Sequence, residues 1–142
     1  MHASAVLIGR HAALIRGPSG SGKSRLALAL IEAAHTGLVR FARLVADDRT
    51  DVTVSHGRLI LRPPPALAGL IELRGVGVRR VAFEAVAVAG LVVDLAATDA
   101  ERMPAAAAQV VEIEGVRLPR QPVPVGTDAL AIILAMLHSE AT

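Results

Sequence analysis

Eight consecutive residues, Gly17-Pro18-Ser19-Gly20-Ser21-Gly22-Lys23-Ser24, carry the clearest chemistry in this 142-residue sequence. Their spacing fits G-x-x-x-x-G-K-[ST], a loop whose backbone N–H groups wrap nucleotide phosphates, whose lysine reaches the β- and γ-phosphates and whose last hydroxyl meets Mg2+. Lys23 is the single lysine of the chain, and every other Lys/Arg position is arginine. A compact ammonium on a flexible stem can follow a moving phosphate, whereas a guanidinium is a wider planar fork. Asp47 and Asp48 come next in importance, at the end of the apolar run Leu44-Val45-Ala46. An acidic residue at a strand end beside such a loop helps hold Mg2+ with the loop hydroxyl, here Ser24. A second carboxylate next to it can face a substrate hydroxyl and take its proton. An ordinary acidic turn is the alternative, because Asp47-Asp48-Arg49-Thr50-Asp51 is also good loop chemistry.

To bind an anion, the loop must join a strand to a helix, so that the helix N-terminus points at the phosphates. Residues 12–16 are a short apolar run suited to a buried strand, and residues 26–34 are rich in the helix formers Ala and Leu. The pattern predicts a strand over 5–8, a turn at Gly9-Arg10-His11, a strand over 12–16 and a helix over about 23–35, ended near Gly37. It predicts a short strand at 44–46 and a hairpin of 52–54 with 59–61 around Ser55-His56-Gly57-Arg58. Pro63-Pro64-Pro65 reads as a stiff connector. Residues 70–73 are apolar, and 74–78 read as a glycine-punctuated loop. A long buried strand is expected over 86–95, a second hairpin of 110–113 with 116–118, and a loop over 121–126. Asp128 is the expected N-cap of a helix over 129–138. Strands outnumber helices and several pair locally, which predicts an α/β domain with a mixed sheet.

Bulk composition narrows the classes. The net charge is +2, the arginines are scattered, and Phe41 and Phe83 are the sole aromatics. A nucleic-acid binder would show a basic stripe and stacking rings, so no nucleic-acid partner is expected. There is no cysteine for a disulfide or a thiolate metal site. No apolar stretch is long enough to span a membrane and no secretion signal is visible, which points to a cytoplasmic protein with no membrane partner. The 53% hydrophobic content exceeds the ordinary share and suggests a subunit interface. Glu72, inside an apolar segment, reads on its own as an outward-pointing strand residue with Arg74 as a partner. His2, His11, His35, His56 and His138 read on their own as structural or solvated.

Taken together, four motifs resemble the catalytic, C-terminal domain of HPr kinase/phosphorylase. They are the phosphate loop Gly17–Ser24, the acidic stretch Leu44–Val52, the segment Pro64–Gly77 and the late loop Pro122-Val123-Pro124-Val125-Gly126. The resemblance runs over nearly all of residues 1–142 and implies one catalytic domain, without the family's separate N-terminal domain, similar to the short form of alphaproteobacteria. It implies a P-loop fold of the phosphoenolpyruvate-carboxykinase-like kind, with a mixed sheet and flanking helices. It implies ATP and Mg2+ as cofactors, an HPr-type phosphocarrier protein as partner, and a homo-oligomer, usually a hexamer. By the same resemblance His2 falls at the family's catalytic histidine and Asp48 at the carboxylate that takes the serine proton. Ser24 and Glu72 match the Mg2+ ligands, with Asp47 supporting the metal or Asp48. Lys23 with Gly17, Pro18, Ser19, Gly20, Ser21, Gly22 and Ser24 holds the nucleotide, and Arg102 falls at an arginine for transition-state charge. Residues 72–80 would line the shared centre for both directions of the reaction.

Two departures bear on direction. Arg25 stands where a glutamate commonly follows the loop serine, and Thr127-Asp128 stands where the late loop usually has Arg-Asn. Losing that guanidinium removes a clamp on phosphate or pyrophosphate and favours kinase over phosphorylase activity. The expectation is therefore an ATP-dependent serine kinase acting on an HPr-type carrier. A nucleotide-binding regulatory module without transfer is the alternative, and a small-molecule kinase is a third, less favoured for want of a lid insertion.

Overall fold

Apolar residues with no polar alternation dictate strands buried on both faces. The first two, Ala3–Ile8 (β1) and His11–Arg16 (β2), pair antiparallel across the Gly9-Arg10 turn. Val6, Ala13 and Ile15 enter one core cluster, and Ala5, Ala12 and Leu14 enter another on the opposite face. This is a computed structural model that describes residues 1–140; Ala141 and Thr142, the end of the single domain expected over 1–142, lie outside the described residues.

The helix Lys23–His35 (α1) follows the loop with the expected bounds. Leu26, Ala27, Leu30, Ile31 and Ala33 are its buried apolar face and cover β1 and β3 (Ala42–Ala46), which pair antiparallel. Burying each such leucine stabilises the fold by about 2 kcal/mol. Asp51–Ser55 (β4) and Arg58–Arg62 (β5) form the expected hairpin. Leu70–Leu73 (β6) and Gly77–Arg80 (β7) form a separate two-stranded sheet. Ala87–Leu95 (β8) is the long strand; Val110–Ile113 (β9) and Val116–Val123 (β10) are antiparallel. The helix Ala129–Leu137 (α2) is capped by Asp128, whose Oδ1 accepts from the N–H groups of Leu130 and Ala131.

The large sheet has the order β3-β1-β2-β8-β10-β9, with β5 joined to the start of β8 and β4 beyond it. β2, β8 and β10 run parallel, while the other pairs are antiparallel, so the sheet is mixed as expected. All three parallel strands end on the side where the phosphate loop leaves β2. Ala12 pairs with Ala89 and Ala13 with Leu91, so Gly90 is an extra residue in β8. A Cβ there would lie 2.6 Å from the Cβ of His11, which explains the glycine at this bulge.

Two segments differ from the sequence expectation. Residues 74–78 are not simply loop: a turn at Gly75 leads into β7, and the hairpin packs beside α1 through Ile71. The expected loop at 121–126 begins late, because β10 continues through Pro122 to Val123 along β8. Beyond Pro119 the strand has β8 as its single neighbour, so one edge is open and a proline is tolerated there.

Candidate active site

The phosphate loop is closed around its own lysine. Lys23 is 6% exposed, and Nζ donates to the carbonyls of Gly17 at 2.9 Å and Pro18 at 3.2 Å. Among the described residues it has no carboxylate partner. A buried cation held by carbonyls alone is a site for an incoming anion. The helix behind it agrees. Gly22, at φ +101°, is an N-cap without a side-chain hydrogen bond, and the first turn of α1 has no acidic residue. Its orphan N–H groups and positive dipole end are left for phosphate oxygens. A Cβ on Gly17 would lie 2.5 Å from Ser21 Oγ, so the loop wraps too tightly for any other residue. Ser21 Oγ is itself buried and, among the described residues, has no hydrogen-bond partner.

Behind the loop, Asp47 is 7% exposed and gathers three donors. Ser24 Oγ donates to its Oδ1 at 2.6 Å, Ser4 Oγ to the same oxygen at 2.9 Å, and the Glu72 backbone N–H to Oδ2 at 3.0 Å. Asp48 points the other way. Its side chain is 59% exposed and its Oδ1 lies 2.7 Å from His2 Nε2. Asp48 has φ +64°, a left-handed conformation rare for a residue with a Cβ. The two adjacent carboxylates therefore have separate stations, one buried against the loop and one facing solvent beside an imidazole.

The expected residues are not all gathered. Glu72 reaches Asp47 through its backbone, and its carboxylate is exposed on β6. Arg74 forms no ion pair with Glu72; its guanidinium leans over the phosphate loop, 3.9 Å from where a Cβ of Gly20 would stand. Arg102 is exposed in the segment after β8, and among the described residues no hydrogen bond or ion pair joins it to the loop or the aspartates. Ser24 spends its proton on Asp47 and keeps its lone pairs free, as a hydroxyl on a divalent cation must. Ser24, Asp47 and Glu72 are all oxygen donors, the set that suits Mg2+, though among the described residues no three His, Cys, Asp or Glu side chains gather as a metal site.

Two features lay beyond the sequence reading. Ser4 is one. The other is the ion-pair chain Arg16–Asp94–Arg120–Asp99, which links the ends of β2 and β8 to the middle of β10. Burial opposes ionisation of Asp94, but hydrogen bonds from Arg16 and Arg120 outweigh it and hold the carboxyl below the ordinary 3.8. The hydrogen bond from Arg120 holds Asp99 low too, and Asp99 and Asp94 together raise Arg120 against the effect of its burial. Arg16 immediately precedes the loop, so this chain anchors its base. Two cavities stand out among the described residues. One of about 680 Å³ opens at the far ends of the parallel strands around Arg10, His11 and Arg58, away from this chemistry. The other, about 630 Å³, is walled by Gly20–Gly22 of the phosphate loop and Pro124–Asp128 of the late loop.

This geometry has known counterparts. The family profile described as HPr Serine kinase C-terminal domain matches residues 1–139. The chain belongs to that family. The HPr kinase/phosphorylase of Clostridium tetani is 45% identical over 65 residues, covering 46% of this chain and 19% of the relative. That of Enterococcus faecalis is 46% identical over 66 residues, again 19% of the relative. The matched part thus spans about a fifth of these curated relatives. The solved Hpr(Ser) kinase/phosphatase from Coxiella burnetii superposes with a TM-score of 0.76 at 26% identity, covering 96% of this chain and 87% of that one. The family expected from the four motifs is the family found, and its P-loop kinase fold is the fold observed.

Proposed function

We propose that this chain is an ATP-dependent serine kinase acting on an HPr-type phosphocarrier protein. The observation that carries this reading is the junction of two sites by one hydrogen bond, Ser24 Oγ to Asp47 Oδ1 at 2.6 Å, with Asp48 next in sequence and open to solvent. That bond ties the phosphate loop to Asp47, whose chain neighbour Asp48 carries the candidate base. Lys23 leaves its two carbonyls and takes the β/γ-phosphates, together with the loop N–H groups. Ser24 and Asp47, with Glu72 turned inward, would hold Mg2+, which would supply charge neutralisation on the phosphates. Asp48 accepts the proton of the incoming serine as its oxygen attacks in line. His2 orients that carboxylate and shares its charge. Arg74, over the loop, adds a second cation for the transferring group, and Arg102 would have to swing in to join it. The exposure of Asp48 suits a hydroxyl presented on a protein surface better than a small molecule enclosed in a pocket.

The late loop favours the forward reaction. Asp128 is committed to capping α2, and Thr127 offers no guanidinium to a phosphate. The test is incubation of the purified chain with ATP, Mg2+ and an HPr-type carrier, read by mass spectrometry. Phosphoserine on the carrier is the expected result. Nucleotide binding with no phosphate moved would support a regulatory module instead, and release of phosphate from a phosphorylated carrier would add the reverse activity.

A further inference from the structure

Ser4 is fully buried on β1 among Ala3, Ala5 and Val6, all equally buried. A hydroxyl in such a stretch is costly unless it is bonded, and alanine would suit the strand as well. Ser4 is bonded on both sides. Its Oγ donates to Asp47 Oδ1 at 2.9 Å and accepts from the Asp48 backbone N–H at 3.1 Å. One atom thus touches the side chain of the first aspartate and the backbone of the second. The backbone it touches is the one in the left-handed region, φ +64°. That conformation turns the Asp48 side chain away from Asp47 and brings it to His2, 2.7 Å away. Thr50 steadies the far side of the turn, with Oγ1 donating to the Ala3 carbonyl at 2.9 Å, but no other side chain holds the Asp48 amide among the described residues.

We propose that Ser4 is a positioning residue that sets the angle between the two carboxylates, fixing Asp47 against the loop and Asp48 towards His2. The proposal rests on the kinase reading for its effect on rate, though not for its geometry. Removing the hydroxyl takes one donor from Asp47 and leaves the part-buried Asp48 N–H without its side-chain acceptor. The peptide then relaxes and the base drifts, while Lys23 and the phosphate loop are untouched.

Two readouts test it, on the full chain. In carrier phosphorylation, Ser4→Ala should lower kcat by about 10- to 100-fold with the KM for ATP unchanged within about threefold, the pattern of a lost transition-state interaction. Ser4→Thr, which restores a hydroxyl, should recover most of the rate, and Ser4→Cys, with a weak thiol donor, should fall between. In NMR spectra without nucleotide, the imidazole resonances of His2 in Ser4→Ala should move towards those of Asp48→Asn. If wild-type protein transfers no phosphate, the kinase reading fails and the His2 resonances still decide the role of Ser4. The proposal is overturned if a folded Ser4→Ala or Ser4→Cys chain keeps the wild-type His2 resonances, or if kcat and KM worsen together without recovery by threonine.

Discussion

Asp47 and Asp48 are one residue type in adjacent positions, and surroundings alone divide their work. Asp47 accepts from two hydroxyls and a backbone N–H and is fixed; Asp48 has one imidazole and solvent. Asp48→Asn keeps the size and the left-handed tolerance but cannot take a proton. Nucleotide binding measured by calorimetry should stay within about twofold, while phosphate transfer falls by about 10²- to 10⁴-fold, the usual span of general-base catalysis. Equal loss of both would mean that Asp48 is structural. Gly17→Ala tests the other station. The added methyl meets Ser21 Oγ and the Leu95 carbonyl, in a backbone conformation with φ +157°. ATP affinity should drop at least about tenfold, with thermal stability reduced by roughly 1–3 kcal/mol.

At the level of elements, β2 delivers the phosphate loop and β3 the two aspartates, while the ion-pair chain ties the ends of β2 and β8 to β10. Asp94 is 14% exposed and bridges Arg16 of β2 to Arg120 of β10. Asp94→Asn leaves two guanidiniums short of a partner and should cost about 2 kcal/mol at pH 7, a fall of roughly 6 °C in Tm. The sign with pH follows from the lowered carboxyl. Its contribution is full above the ordinary value of 3.8 and disappears as pH falls through the still lower folded value, so the gap between wild type and Asp94→Asn should close in acid. A gap that stays constant down to pH 2–3 would remove Asp94 from this role. Local pattern made much of this architecture readable: the loop, α1 and the Asp128 cap are set by residues within a few positions of one another. Ser4 and Asp94 were not readable, because their partners are 43 and 78 residues away in sequence. The hairpin of β6 and β7 hid behind Gly75 and Gly77, and the end of β10 behind Pro122, since an open edge excuses a proline only once the neighbours are known.

For the whole molecule, the accessible surface exceeds the average for a monomer of this mass. The accessible area is 8333 Å² for a 14.7 kDa chain, where a monomer of this mass exposes about 6,900 Å². The surplus, roughly 1,400 Å², exceeds the ~800 Å² that each partner contributes to a standard interface. Exposed apolar side chains include Val76 and Val78, 61% and 63% exposed on the β6–β7 hairpin, Phe83 at 38% and Val86 at 49% after it, and, elsewhere in the sequence, Met103 at 82% and Val125 at 80%. We propose residues 76–86 as the surface for the contact between copies that the family resemblance implies. Val78→Glu alters a side chain that buries little within its own chain, so the fold should lose about 1 kcal/mol or less. Buried against a second copy, the same carboxylate would lack a partner, and assembly should weaken by 3 kcal/mol or more, estimated as roughly the cost of an unpaired buried charge. Sedimentation at micromolar concentration should then show an oligomer for the wild-type chain and a smaller species for Val78→Glu, with matching circular dichroism. An unchanged oligomer would move the interface elsewhere on the surface, and a wild-type monomer would leave the apolar strip for the carrier protein itself.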